Sequence, residues 1–184
     1  EQQHAVKIYH QLPSPDKQAK LKAMVADDVA MLGKVALWPK DLVYNEHQKI
    51  IGFVMPRLPV GSVAIHHLYN PSQRKQDFPK ADYAFLVHAA RNLAVAFAYL
   101  HSCGHCVGDV NQGNVVVAPD ATITLIDCDS FQIDHQHRIF ACLVGVAHFT
   151  PPELHGQPFA EVTKTPTHDN FGLAILIFHL LMMG

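Results

Sequence analysis

Apolar and polar residues alternate over His4-Ala5-Val6-Lys7-Ile8-Tyr9, a period of two that predicts a strand with Val6 and Ile8 on one face and Lys7 on the other. Ser14-Pro15 follows as an N-cap and first helical residue, and Leu21, Met24 and Val25 supply that helix with an apolar stripe. Leu42-Val43-Tyr44 and Ile50 to Met55, separated by a polar turn, predict a hairpin. Pro56 to Ser62, with two prolines and a glycine, reads as a connector. From Asp82 to about His101 the period changes to that of a helix. Phe85, Leu86, Ala89, Leu93, Ala96, Phe97 and Leu100 form its buried stripe, and Gly104 is placed to end it. Two short strands are predicted at 115–117 and 123–126, joined by the turn residues Pro119-Asp120. Residues 127–153 show little periodicity and read as a long functional loop, after which a last helix begins near Thr167-His168-Asp169.

Composition narrows the class. The chain has 184 residues, of which 49% are hydrophobic and 16% charged, enough apolar mass for one domain or two small lobes. A formal net charge of −2 gives no general attraction to nucleic acid or to an anionic membrane. No signal peptide stands at the start, and the apolar run from Phe171 to Gly184 is short for a span and is broken by His179. Four cysteines suit a reducing, cytoplasmic setting rather than a disulfide framework. The chain starts at Glu1 inside a strand and stops inside an apolar helix, so a fragment of a longer protein is expected.

One stretch poses a choice of chemistry. Cys103-Gly104-His105-Cys106 has the spacing of a dithiol or half a zinc site, and runs into Gly108-Asp109 and Asn114. A redox pair opens a helix, where the dipole lowers the thiol pKa, but Cys103 closes one. The cysteine pair therefore reads as a turn leading into Asp109 and Asn114. Cys128 and Cys142 read as small buried hydrophobes, with a reactive Cys128 as the sharper alternative. Taken singly, Lys7, Asp109, Asn114, Asp127 and Asp169 are ordinary strand, turn and helix-start residues; their order along the chain is what carries information.

That order resembles the protein-kinase-like superfamily over nearly the whole chain. Ala5-Val6-Lys7 looks like the end of the third strand, Gly108-Asp109-Val110-Asn111-Gln112-Gly113-Asn114 like the catalytic loop, and Ile126-Asp127-Cys128-Asp129 like the Asp-Phe-Gly region. Pro151-Pro152-Glu153 resembles the motif closing the activation segment, and Asp169-Asn170-Phe171-Gly172 the start of the central helix of the large lobe. The resemblance implies an α+β, bilobal fold truncated at both ends. Residues 1–57 would form a partial N-lobe and 58–184 a partial C-lobe.

The resemblance also assigns roles. Lys7 would pair with ATP phosphates, Asp109 would accept or orient the substrate hydroxyl proton, and Asn114 with Asp127 would hold Mg²⁺. Met55 would be the gatekeeper, the carbonyl of Pro56 and the N–H of Leu58 would face adenine, Val116 would form the floor and Ala5 part of the roof. Glu153 would close the activation segment and Asp169 would brace the catalytic loop. ATP and Mg²⁺ are thus the implied cofactors, and a protein Ser/Thr hydroxyl the implied acceptor. Val110-Asn111 to Asn114 and Ile126 to Gln132 further resemble bacterial kinase-like proteins that carry regulatory segments after the kinase domain.

Several positions depart from the pattern. No Gly-rich loop precedes Lys7, and the next helix has no glutamate, only Asp16, Asp27 and Asp28, to pair with it. Gly108 stands where arginine is usual, Asn111 where lysine is common, and Asp129 where glycine is usual. These substitutions keep two other readings open: a nucleotide-binding pseudokinase that regulates another domain, and a small-molecule kinase.

Overall fold

A computed structural model describes residues 4–27 and 31–182. The architecture is α+β. The first sheet contains β1 (His4–Ile8), β2 (Asp41–Tyr44) and β3 (Ile50–Pro56), antiparallel in the order β1-β3-β2. The predicted hairpin is β2–β3. β1 crosses β3 with Ala5 opposite Met55 and Lys7 opposite Phe53. Gly52 permits this approach, because a side chain there would run into the Lys7 carbonyl.

The alternation along β1 holds, and its apolar pair lies on the exposed face. Val6 and Ile8 are 55% and 50% exposed, whereas Ala5 and Lys7 turn inward and are half-buried. Lys7 is drawn inward because two carboxylates, Asp127 and Asp129, meet its ammonium on that side. A period of two tells which residues share a face; it does not tell which face is covered.

The helix α1 (Pro15–Ala26) starts as its sequence predicts, with the Ser14 hydroxyl accepting from the Lys17 N–H at 3.2 Å and Pro15 in the first turn. Leu21 and Met24 are fully buried, worth roughly 2–3 kcal/mol each in apolar area removed from water. The Met24 carbonyl accepts from the Trp38 indole at 2.8 Å, and Trp38 stacks on the buried His105 ring with centroids 5.2 Å apart. One indole therefore ties α1 to the segment that follows the longest helix. Between them lie the short α2 (Leu32–Val35) and an extended stretch whose Leu37 N–H bonds the Leu125 carbonyl.

A second sheet, in the order β4-β5-β6, contains β4 (Val63–Ala64), β5 (Val115–Val117) and β6 (Ile123–Leu125). α3 (Pro71–Asp77) escaped the periodicity because it buries nothing; Asn70 caps it from outside the core. α4 (Tyr83–Ser102) is capped by Asp82 and buries the stripe Leu86, Ala89, Leu93, Ala96, Phe97 and Leu100. It is long and apolar enough to cross a membrane by length and composition, but that stripe packs into the core. α5 (Pro166–Met182) packs on α4 and buries Asp169, Gly172, Leu176 and Leu180. One contiguous apolar cluster runs from Leu21 and Met24 through Leu93 and Phe97 to Leu176 and Leu180.

Residues 127–153 are more ordered than their lack of periodicity predicts. They contain the hairpin β7 (Ile133–His135) and β8 (Arg138–Phe140), followed by two short 3-10 turns. The hairpin turn places Gln136 and His137 at φ 50 and 65, conformations normally signalled by Asn or Gly. The turn chemistry was therefore invisible in the residue types.

Lys20, on the buried side of α1, is 5% exposed, and its ammonium lies 3.5 Å from the Ala141 carbonyl. Burial, and next the Lys17 charge, push it down from 10.5 to about 8. The folded value lies below the unfolded one, so charging Lys20 costs stability below about pH 8, and the cost fades as pH rises towards 10.5. Lys20→Met should raise the unfolding free energy at pH 7 by about 1–3 kcal/mol and by less at pH 10, as measured by urea denaturation at both pH values.

Candidate active site

The site begins where α4 stops. Cys103 caps the helix, Gly104 turns the chain at φ 84, and Cys106 exchanges two backbone hydrogen bonds with Gln132. The next peptide groups are captured by one side chain. Asp169, 1% exposed in the first turn of α5, accepts from the Val107 N–H at 2.7 Å and the Gly108 N–H at 2.8 Å. His101 adds a third contact to the same carboxylate at 2.9 Å. Gly108 has φ 74, and a β-carbon there would meet the Cys142 side chain at 2.6 Å. Glycine at this position is thus a packing requirement as well as a conformational one. The Lys164 ammonium closes the assembly, donating to the carbonyls of Gly108 at 2.7 Å and Val144 at 2.8 Å over the Phe159 ring.

Asp109 and Asn114 are held together by this loop. The Asn114 amide nitrogen donates to the Asp109 carbonyl at 2.9 Å and to its carboxylate Oδ2 at 3.1 Å. Asn111 shapes the turn between them, donating to the Asp109 carbonyl and accepting from the Gly113 N–H. The second carboxylate oxygen of Asp109, Oδ1, is buried without a protein partner among the described residues. Such an atom is costly to leave unsatisfied and points to a ligand or a water.

Asp127 arrives from the other side. It follows β6, and the Ile126 N–H bonds the Asn114 carbonyl at 2.9 Å, which fixes the two segments side by side. Asp127 takes a left-handed conformation at φ 59, stabilised by the Ser130 hydroxyl on its carbonyl at 2.8 Å. Its carboxylate meets the Lys7 ammonium at 2.6 Å. Lys7 also meets Asp129 at 2.7 Å. Burial opposes a charged Lys7, but hydrogen bonds and charge from Asp127 and Asp129 outweigh it and hold its pKa above the ordinary lysine value. Asp129 is nearly sealed from solvent, which disfavours its charge, yet Lys17, Lys7 and the Tyr9 phenol together hold it well below the carboxylate range. Tyr9 in turn is pushed up, by burial first and Asp129 next.

Beside these groups lies a cleft of about 200 Å³ walled by Lys7, Leu37, Phe53, Met55, Leu58, Ile126, Asp127, Cys128 and Asp129. Met55 and Leu58 line it. Ala5 is Met55's partner in the sheet and Pro56 follows Met55, but neither forms its wall. Val116 is buried in the second sheet, outside the lining. Glu153 is exposed in the turn Pro152–Leu154 and is not among the residues that wall the cleft. Sequence reasoning missed Leu37 and Phe53 as walls and Lys17, Asp129 and Lys164 as charge partners. The Asp at 129 in place of Gly was the visible signal for the network; Lys17 and Lys164 carry no local signal.

The donor set fits magnesium and a nucleotide. Asp127 and Asn114 offer hard oxygen donors on adjoining segments, the unpartnered oxygen of Asp109 lies beside Asn114, Lys7 offers a cation, and the neighbouring cleft is largely apolar. The partner of Lys7 is therefore not on α1. Asp27 instead meets His135 at 2.8 Å, Asp16 meets Arg138 at 2.7 Å, and Asp28 lies outside the described residues.

The cysteines take no such part. Cys106 is buried and pushed up to about 12, chiefly by burial, the reverse of what a redox thiol needs. Cys128 borders the cleft, but it is buried and burial pushes its thiol up too, the reverse of what a reactive thiol needs. His101, Cys106 and Asp169 come within 4.8 Å of one another, a spacing open to a metal. The Asp169 oxygens are already engaged by two backbone N–H groups and His101, so this cluster serves as the brace.

No family model matches the chain. It is 46% identical over 180 residues to proteins named protein kinase YegI from Escherichia coli O157:H7 and from strain K12, a match that covers 97% of this chain. The chain spans only 28% of the length of those relatives. A PAS domain-containing serine/threonine-protein kinase from Mus musculus is 31% identical over 106 residues, 57% of this chain and 7% of that protein. Among solved structures, the ROP18 kinase domain in complex with AMP-PNP and sucrose superposes with a TM-score of 0.64 at 16% identity, covering 97% of this chain and 56% of that one. The yeast RNA Pol II CTD kinase CTDK-1 complex gives 0.66 at 15% identity, covering 98% and 55%. The fold is that of protein kinase domains.

Asp169→Ala would strand the buried Val107 N–H and the part-buried Gly108 N–H, which lead into Asp109. The expected outcome is a loss of about 2–5 kcal/mol in unfolding free energy, read from the urea midpoint, with the amides of Val107 and Gly108 losing protection from hydrogen exchange first.

Proposed function

Taking the chain as a segment of the protein-kinase-like superfamily, to which its relatives and its fold both assign it, we propose that the intact protein transfers the γ-phosphoryl group of ATP, with Mg²⁺, to serine or threonine hydroxyls of a protein. The observation that carries this reading is convergence. Lys7, Asp109, Asn114 and Asp127, spread over 120 residues, meet through the contacts Lys7–Asp127, Ile126–Asn114 and Asn114–Asp109.

Asp127 and Asn114 would hold Mg²⁺, whose charge would offset that of the phosphates. Asp109 orients the acceptor hydroxyl and takes its proton at the carboxylate; Asn114 fixes one oxygen of that carboxylate and leaves the other free. Lys7 supplies a point charge for the phosphates beside the cleft. The apolar walls at Leu37, Met55 and Leu58 suit a flat base. The turn at Pro151-Pro152-Glu153 supports a protein acceptor over a small molecule. Four free cysteines, three of them buried, support a cytoplasmic location.

One observation favours a second reading. Lys7 is clasped by Asp127 as well as Asp129, an arrangement that suits a nucleotide-binding regulator without turnover. The full-length protein with radiolabelled ATP separates the two. Asp109→Ala should reduce transfer by roughly 10²- to 10⁴-fold while preserving the rise in Tm that MgATP produces. Phosphoamino-acid analysis should return phosphoserine or phosphothreonine. A Tm rise in the wild type with no transfer would establish the regulator instead.

A further inference from the structure

We propose that Asp129 is the positioning residue for Lys7, and that the ion pair linking the helix to this lysine is built in reversed polarity, with the acid on the loop and a cation, Lys17, on α1. The inference rests on the kinase reading of the site and concerns how Lys7 is held.

Three donors on two separate elements converge on one carboxylate. Lys7 reaches Oδ1 at 2.7 Å, while Lys17 and the Tyr9 hydroxyl each reach Oδ2 at 2.7 Å. The Lys17 ammonium also donates to the Asp129 carbonyl at 2.5 Å. Both ammonium groups lie 5.9 Å from the Tyr9 ring centroid, so the phenol packs against the two cations it helps to bridge. The Asp129 side chain is only 5% exposed, whereas that of Asp127 is 46% exposed. Water screens the Lys7–Asp127 contact far more than the Lys7–Asp129 contact, so the buried carboxylate is the one that fixes the lysine.

Geometry gives this pairing a second consequence. Asp129 lies two residues after Asp127, in the turn Cys128–Ser130 that Phe131 terminates with an N–H to the Cys128 carbonyl. Through Lys17, the position of α1 is therefore tied to the segment that presents Asp127. A glutamate on α1 would have placed the acid on the helix and left position 129 free for glycine. Here the carboxylate has moved to the loop, and the helix supplies the countercharge. Removing it leaves Lys7 with only the more exposed Asp127, Lys17 with only the Asp129 carbonyl, and the Tyr9 phenol without the acceptor it now uses.

The test uses the full-length protein in steady-state phosphotransfer and MgATP binding by calorimetry. Asp129→Asn keeps the shape and removes the charge; it should lower kcat/KM for ATP by about 100-fold while leaving KM for the protein acceptor within about threefold. Asp129→Gly should do the same. The double variant Lys17→Glu with Asp129→Gly returns the acid to the helix and should recover at least about tenfold of that loss, which a merely structural role for Asp129 would not do. Wild-type kcat/KM in Asp129→Asn, or no recovery in a double variant whose Tm matches the wild type, would overturn the proposal. If Asp129→Asn does not fold, the double variant compared with Lys17→Glu alone decides: it should bind MgATP more tightly, and equal or weaker binding refutes the inference. A wild type that binds MgATP but transfers nothing refutes the kinase reading alone, because the same order of affinities across the variants still reads out Asp129.

Discussion

The Asp169 carboxylate, buried in the first turn of α5, is the interaction on which the rest depends. It accepts from two consecutive backbone N–H groups and from His101, and so joins α5, the end of α4 and the loop before Asp109. A buried charge of this kind is tolerated because every donor it needs is in place. Gly172, one turn further along α5, completes the fit: a β-carbon there would meet Val110 at 2.8 Å. The loop that presents Asp109 is therefore shaped by the helix behind it as well as by its own Gly108, Asn111 and Asn114.

Charge elsewhere in the interior follows one logic, in which lysines are drawn in from solvent and oxygens are arranged around them. Lys164 is capped by two carbonyls and an aromatic ring. Lys7 and Lys17 share a carboxylate and a phenol. Lys20 has the poorest surroundings, a carbonyl at 3.5 Å and a neighbouring ammonium, and accordingly has the most depressed lysine pKa. The first two arrangements organise the candidate site, and the third weakens the helix that bears on it.

Much of the scaffold was legible because its signals were local. The cap at Ser14-Pro15, the seven-residue stripe of α4, the Gly104 stop and the short strands flanking Pro119-Asp120 each depend on residues within a few positions of one another. α3 was missed because it buries no face, and the β7–β8 hairpin because Gln136 and His137 occupy conformations their types do not advertise. Periodicity alone did not say which face of β1 is covered, and the apolar Val6 and Ile8 lie on the exposed one.

For the candidate site, the sequence by itself supplied the candidate residues and their order, Lys7, Asp109, Asn114, Asp127 and Asp169, with Asp129 visible as a departure. Their spacing along the chain is a covalent fact that needs no fold. Only the tertiary structure decided which of them touch. Lys7 and Asp129 are 122 residues apart, and nothing local to either specifies that they meet at 2.7 Å, or that Lys17 joins them. That choice is made by burial. A carboxylate removed from water must take whatever donors the packing of β1 and α1 brings within reach, and those donors are set by the whole core at once.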